Sequence, residues 1–478
     1  MSHPEHWAIS GLLAAVFVVA NSVNVSLLLR ARRNGEEDAR GSPILLIGGI
    51  GGAMSFALSP SETLRAYYWA PLLADLGTGP YLGILAAVFL QRAWKSRNWM
   101  LGVPFVHYWF ETEPPRQAPY PKERAMVGCI LGTAVGDALG LACEGLSRRR
   151  QSRLFPDLGG YKLLPFGKGL CSDDTEHTCM LAQSLIETAH FRDPDGMGRR
   201  LAVNFGWRLR FWLLGLPAGI GFATLRAILK LWVGVPVRYS GVYSAGNAPA
   251  MRSALIGVCY GHDEPRMRAL VRGATRVTHT DIKAQLGAQA VALAAHFAAT
   301  RRDDVAPEEY VNALEPLCEK NAGVIALMRG VAASVARGDT AAAYAESIGC
   351  GNGVTGFMYH TVPVAIHIWL TRQNDYRGAL LEAIRLGGDT DTVAAVVGAL
   401  VGTRVGKEGI PAEWLRDLWE WPRTPAWMEQ LGVRLAKSCH DQASGGEVAL
   451  NWVELLVRNV LFIPLVLAHG LRRLLPPY

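Results

Sequence analysis

Residues 128–145 read "GCILGTAVGDALGLACEG", and the fold turns on what this stretch is. Glycine recurs at 128, 132, 136 and 140. That four-residue spacing lines one side of a helix and lets a second backbone come close, as it does between helices in a bilayer. The same stretch carries Asp137 and Glu144, seven residues apart, which an unbroken helix presents on nearly the same face. A tightly packed helix that aims two carboxylates one way needs something for them to face.

The chain has 478 residues, enough for one large or two ordinary domains with a substantial core. Half of the residues are hydrophobic and 19% are charged, apolar for a soluble protein and too polar for a multi-span transporter. The formal charge is only +7, and no long basic tract with interleaved aromatics occurs, so no nucleic-acid partner is expected. Eight cysteines are scattered without a CxxC pair, which argues against a zinc ribbon or a disulfide framework and for buried thiols in a reducing compartment.

Residues 1–98 form a hydrophobic region. The run 7–29 carries no charge, is long enough to span a bilayer, and is followed by Arg30, Arg32 and Arg33. Neither the preceding charge nor the cleavage site of a signal peptide is evident. Shorter or interrupted apolar runs at 43–59 and 71–90 raise the expected number of spans to between one and three. With three, the basic flanks sort to one side, the amino terminus lies outside, and everything after residue 92 is cytoplasmic. This predicts a membrane protein, anchored in the lipid bilayer of an inner or plasma membrane. Residues 99–122, rich in proline and aromatics, read as a linker, and 123–440 as an almost wholly helical domain without alternating strands. Within it, residues 205–234 mix three tryptophans with arginine and lysine and read as a buried amphipathic helix pair rather than a membrane span. The tail, 441–478, contains from residue 459 about a dozen apolar residues, too few to span; it reads as an interfacial helix or a core helix.

Two further acidic clusters join Asp137 and Glu144. In "CSDDTEHT", Ser172, Asp173 and Asp174 stand ahead of a helical stretch; in "GGDTDTVAAVVGALVG", Asp389, Asp391 and Thr392 open a helix that is apolar all round. A helix without a polar face belongs inside, and so do the oxygens at its start. Buried carboxylates need cations or metal, and Arg385 is the only cation nearby in sequence. A helix amino terminus supplies only about 0.3–1 kcal/mol toward one carboxylate. Sets of Asp and hydroxyl oxygen suit Mg²⁺ or Mn²⁺, and the lack of a His/Cys cluster weighs against zinc. Taken singly, each cluster also reads as an ordinary helix cap, and the glycines as packing alone; their coincidence beside buried-looking helices favours the metal reading.

"GCILGTAVGDALGLACEG", "SDDT", "SAGNAPAMRSALIG", "THTD" and "GGDTDTVAAVVGALVG" occur in the order seen in the ADP-ribosylglycohydrolase family. The chain resembles that family, of the dinitrogenase-reductase-activating glycohydrolase and ADP-ribosyl-acceptor hydrolase type, over about residues 123–440. The resemblance implies a compact, orthogonal all-α domain with a binuclear centre of two Mg²⁺ (or Mn²⁺). It implies Ser172, Asp173, Asp174, Asp389, Asp391 and Thr392 as metal ligands and Glu144 as the catalytic acid or base. It further implies Gly246, Asn247, Met251, Arg252, Ser253, His279, Gly356 and Phe357 as the lining of an ADP-ribose cleft. Asp137 is expected to orient ligands rather than bind metal. Ser172 stands where the family usually has threonine, and Ala248 where it commonly has glycine. The implied reaction is hydrolysis of the glycosidic bond between ADP-ribose and its acceptor, a modified protein or a small ADP-ribose derivative.

Three rivals differ in class. "DTDTV" satisfies the pattern of a haloacid-dehalogenase-type phosphatase, but what precedes it is helical rather than a strand. A transporter is poorly served by one strong span. A catalytically silent, membrane-tethered module binding ADP-ribose or a nucleotide is the remaining alternative, and metal-dependent turnover separates it from an enzyme.

Overall fold

The computed structural model describes residues 119–318 and 321–472, so the expected spans at 7–29, 43–59 and 71–90 and the linker up to residue 118 lie outside the described residues. Two compact units are delimited. One comprises residues 119–228 and 240–478 and carries the acidic clusters; of the other, residues 1–118 with 229–239, only the short second segment is described.

Among the described residues there are helices and isolated β-bridges but no strand, in agreement with the all-α reading. The helices of ten or more residues are α1 (Glu123–Gly140), α2 (Asp173–Thr188), α3 (Pro194–Leu214), α4 (Phe222–Trp232), α5 (Ala248–Tyr260), α6 (Glu264–Arg276) and α7 (Ile282–Thr300). They continue with α8 (Ala322–Ala336), α9 (Met358–Thr371), α10 (Tyr376–Arg385), α11 (Thr390–Val405), α12 (Pro425–Asp441) and α13 (Trp452–Arg472).

Helix α1 is the centre of the domain. It is long and apolar enough to cross a membrane, yet every residue from Ala125 to Gly140 is buried within the protein. Its partner is α11. A Cβ placed on Gly128, Gly132, Gly136 or Gly140 falls within 3.0 Å of the backbone of Gly402, Gly398, Ala394 or Thr390 respectively, closer than real Cβ atoms come. The contact is mutual, because Gly398 and Gly402 meet the carbonyls of Gly132 and Gly128 in the same way. The glycine spacing therefore sets backbone against backbone in a protein core. Gly257 of α5 repeats the device against Ala292 of α7.

The pairing also fixes direction. Thr390 Oγ1 donates to the Gly140 carbonyl at 2.8 Å, which ties the start of α11 to the end of α1. Beyond Gly140 the chain leaves the α-helix for a 3-10 turn, Leu141–Cys143, and Glu144 follows in a non-helical turn. Asp137 and Glu144 thus do not share the helical face that the seven-residue spacing predicts, because the helix ends between them.

Residues 205–234 form two helices, α3 and α4, but not a wholly buried pair: Trp212 is buried, while Leu214, Phe222 and Leu229 are exposed. The tail differs from expectation. Helix α13 starts at Trp452 and runs for 21 residues, long and apolar enough by composition to cross a membrane. Leu455, Arg458, Asn459 and Phe462 face inward, while Val453, Val457, Val460, Leu461, Leu467 and Leu471 are exposed. All eight cysteines are free, and all but Cys439 are buried.

Candidate functional site

Helices α2 and α11 bring their amino termini together. Thr392 Oγ1, in the first turn of α11, donates to Asp174 Oδ2 in the first turn of α2 at 3.2 Å, and Ser172 Oγ donates to the same oxygen at 3.1 Å. The two acidic motifs, 218 positions apart for this pair, form one site. Both helix ends also present positive dipoles to it.

Asp137 builds the turn that starts α2. Its carboxylate accepts from Ser172 N at 2.9 Å, Thr175 N at 3.1 Å and Thr175 Oγ1 at 2.5 Å. A side chain of α1 thereby caps α2 and orients Ser172, Asp173 and Asp174. Burial lifts Asp137 to about 6, against the pull of those same donors.

The GGDTDT loop is held by backbone pairing. Gly145 N donates to Gly388 O at 2.6 Å, Gly388 N to Leu146 O at 2.8 Å, and Asp389 N to Val354 O at 2.7 Å. Gly388 has φ of 82°, and a Cβ there would strike the Val354 carbonyl, so both its torsion and its surroundings demand glycine. This stitching joins the Glu144 turn to Asp389 and Asp391.

The result is a concentration of negative charge. Burial raises Asp173, Asp174 and Asp391 well above the usual carboxylate range. After burial the largest influences are other carboxylates: Asp137, Glu176 and Glu144 on Asp173; Asp137, Asp173 and Asp389 on Asp174; and Glu144, Asp389 and Asp174 on Asp391. Arg385, the one cation near in sequence, is exposed.

Asp174 Oδ1 is buried with no hydrogen-bond partner, an orphan acceptor in a carboxylate cluster. Among the described residues no three His, Cys, Asp or Glu side chains stand close enough to make a metal site by themselves. The donors around Asp174 alternate with the hydroxyls of Ser172 and Thr392. Such a mixed oxygen set, with excess negative charge and an unused acceptor, fits a hard divalent cation.

The second half of the site is a pair of loops bridged at Gly246 and Phe357. Asn247 Nδ2 donates to Asp389 Oδ2 at 2.6 Å and to Thr361 Oγ1 at 2.9 Å, and Asn247 N donates to Gly356 O at 3.0 Å. A Cβ on Gly356 would lie 3.3 Å from Asp389 Oδ2, and one on Gly246 would lie 3.0 Å from His279 Nε2. Gly246, Asn247, His279, Gly356 and Phe357 are thus brought together beside the acidic cluster. Met251 is buried, its carbonyl accepting from Thr178 Oγ1 of α2.

Arg252 and Ser253 are placed otherwise. Arg252 is fully buried; it donates to Ala274 O at 3.0 Å and Thr278 Oγ1 at 2.7 Å, and lies 3.2 Å from His177 Nδ1. Enclosed in this way, the guanidinium braces the His279 segment, while its Nε is buried with no hydrogen-bond partner. Ser253 is buried and donates to Ala250 O within its own helix.

His279 is also buried, and burial, then Arg252, depresses it to about 3. A neutral imidazole in the folded chain that protonates near 6.5 when unfolded stabilises above 6.5, and that contribution is lost as pH falls toward 3. Between pH 6.5 and 4.5 the loss from this group is about 2–3 kcal/mol. His279→Gln is therefore expected to lose less stability over that interval than the unaltered chain. Denaturant midpoints at the two pH values measure it, and equal losses would refute the assignment.

Behind the acidic turn lies an ion network that nothing in the local sequence signals. Arg423 Nη1 donates to Glu176 Oε1 at 2.7 Å, Arg458 Nη2 to Glu420 Oε2 at 2.7 Å, and Trp212 Nε1 to Glu176. All four charged groups are buried. Burial opposes ionisation of Glu176, but Arg423 and Arg458 outweigh it and hold the carboxyl below its ordinary value.

A family model described as ADP-ribosylglycohydrolase matches residues 118–445. An uncharacterized protein of Archaeoglobus fulgidus is 32% identical over 317 residues, covering 66% of this chain and 96% of that protein. ADP-ribosylhydrolase ARH3 of Xenopus tropicalis is 27% identical over 64% of this chain and 93% of its own. ADP-ribosyl-[dinitrogen reductase] glycohydrolase of Rhodospirillum rubrum is 23% identical over 63% and 92%. Helical architecture, clustered motifs and these matches agree: the chain belongs to the ADP-ribosylglycohydrolase family.

Proposed function

We propose that the protein is a membrane-anchored, Mg²⁺-dependent (or Mn²⁺-dependent) hydrolase that cleaves the glycosidic bond between ADP-ribose and its acceptor, an ADP-ribosylated protein or a small ADP-ribose derivative. The observation that carries this reading is the meeting of the α2 and α11 amino termini at Asp174 and Thr392, with an orphan carboxylate oxygen between them.

In this reading Ser172, Asp173, Asp174, Asp389, Asp391 and Thr392 hold two cations. When bound, such ions polarise substrate oxygens and offset charge that develops as a bond breaks. Glu144 stands outside the helix in a turn and is half-buried, and its charge bears on Asp173 and Asp391. That position suits a general acid or base, a role worth about 10²–10⁴-fold. Asp137, fully engaged with Ser172 and Thr175, is a positioning residue and transfers no proton. Asn247 holds Asp389 in place and, with Gly246, Gly356, Phe357 and His279, forms the wall against which ADP-ribose lies.

Membrane anchoring rests on the charge-free run 7–29 and its basic flank. The exposed apolar face of α13, with Arg472 and Arg473 next to it in the sequence, suits a helix lying in the bilayer interface, with the catalytic domain cytoplasmic.

The test is release of ADP-ribose by the full chain from arginine- and serine-ADP-ribosylated proteins, with Mg²⁺ and with EDTA. Metal-dependent release is expected, and the preferred substrate names the linkage. Binding of ADP-ribose with no release from either substrate would replace the enzyme by a silent binding module.

A further inference from the structure

We propose that Arg458, on a helix outside the family match at 118–445, is a positioning residue for the acidic turn Ser172–Asp174. The inference rests on the reading of that turn as a cation site. Arg458 is 5% exposed, and its Nη2 donates both to the Cys171 carbonyl at 2.6 Å and to Glu420 Oε2 at 2.7 Å. Glu420 Oε2 in turn accepts from Cys171 N at 2.9 Å. The peptide groups on both sides of Cys171 are thus clamped by one buried pair, immediately before the residue whose own amide is held by Asp137.

Arg458 is itself fixed. Its Nη1 donates to Asn459 Oδ1 at 3.0 Å, its guanidinium lies over the Phe462 ring at 4.2 Å, and Asn459 Nδ2 donates to Gly215 O at 2.7 Å. These contacts lock α13 onto the domain at the level of the turn. A solvated arginine would have no such reach, and a purely structural ion pair would have no need of the Cys171 carbonyl. The chain has placed a donor from its last helix on the backbone that aims Ser172, Asp173 and Asp174. Partners that orient ligands in this way typically govern affinity by about 10–100-fold.

The test uses the full chain and Mn²⁺ titrated by calorimetry, together with the Mg²⁺ dependence of ADP-ribose release and the thermal midpoint. Arg458→Met alone leaves buried Glu420 with only the longer pairing to Arg423, at 3.8 Å, so it is combined with Glu420→Gln, which keeps an acceptor for Cys171 N while removing both charges of the pair. Mn²⁺ affinity and the Mg²⁺ half-saturation are expected to weaken about 10–100-fold in a variant that remains folded. Arg458→Lys, which retains one donor, is expected to fall between that variant and the unaltered chain, and it carries the test if the double variant does not fold. Unchanged Mn²⁺ affinity in either folded variant overturns the inference while leaving the site intact. An unaltered chain that binds no Mn²⁺ overturns the cation-site reading itself.

Discussion

Asp391→Asn is expected to leave a folded protein that binds no activating cation and releases ADP-ribose about 10²–10⁴-fold more slowly, the loss that follows from several kcal/mol of missing charge stabilisation. Asparagine keeps the shape of the side chain and one oxygen for Thr392 N, which donates to Asp391 Oδ1 at 2.9 Å. The same change is expected to stabilise the metal-free chain. Burial, then Glu144, Asp389 and Asp174, drives the Asp391 carboxyl upward, so the folded state holds its proton more tightly than the unfolded state does. Stability of the unaltered metal-free chain therefore falls as pH rises through and above the usual carboxylate range, and asparagine removes that penalty. Denaturant midpoints in EDTA at pH 5 and pH 7 check the sign: the variant is the more stable at pH 7, and the gap narrows at pH 5. An excess of Mg²⁺ raises the midpoint of the unaltered chain and not that of the variant. Full turnover by Asp391→Asn would sink the assignment of this cluster.

This opposition of stability and activity explains why the acidic site was legible in the sequence. Carboxylates at the head of an apolar helix are locally unfavourable, and local conflicts mark sites. Asp389, Asp391 and Thr392 announce themselves because α11 has no polar face to excuse them. Other parts were not legible. The spacing of Asp137 and Glu144 is helical, but the chain abandons the helix at Gly140, and no propensity in "LACEG" signals a 3-10 turn. Arg252 lies in the "SAGNAPAMRSALIG" motif, and its place on the inner side of α5, packed against Phe205 and the 274–278 segment, is set by partners far away in sequence. Arg423 and Arg458 lie 247 positions from Glu176 and 287 from Cys171 respectively, so only the folded chain brings them together. The start of α13 was hidden for a related reason: Arg458 and Asn459 interrupt the apolar run while facing the interior, so hydropathy alone begins the helix too late.

The glycine stripe makes the last large prediction, one whose sign separates packing from propensity. In an exposed helix, glycine to alanine stabilises by about 0.8–1.0 kcal/mol. Gly330 of α8 is exposed with nothing within 4 Å of an added Cβ, so Gly330→Ala is expected to gain about that amount. Gly136 of α1 has the same backbone class and the opposite surroundings. Its added Cβ meets the carbonyl oxygen and carbon of Ala394, both backbone atoms that no rotamer can move aside. Helices α1 and α11 must part to admit the methyl group, and overpacking of this kind costs about 1–3 kcal/mol, exceeding the propensity gain. Gly136→Leu adds three more carbons at the same point and is expected not to fold. Parting the two helices also slides Asp137 away from Ser172 and Thr175, and Thr390 away from Gly140, so Gly136→Ala is expected to weaken turnover as well as stability. Denaturant midpoints of the two alanine variants decide the matter. Opposite signs confirm that the stripe is a backbone contact in a protein core, and a stabilised Gly136→Ala would show that α1 and α11 do not meet there.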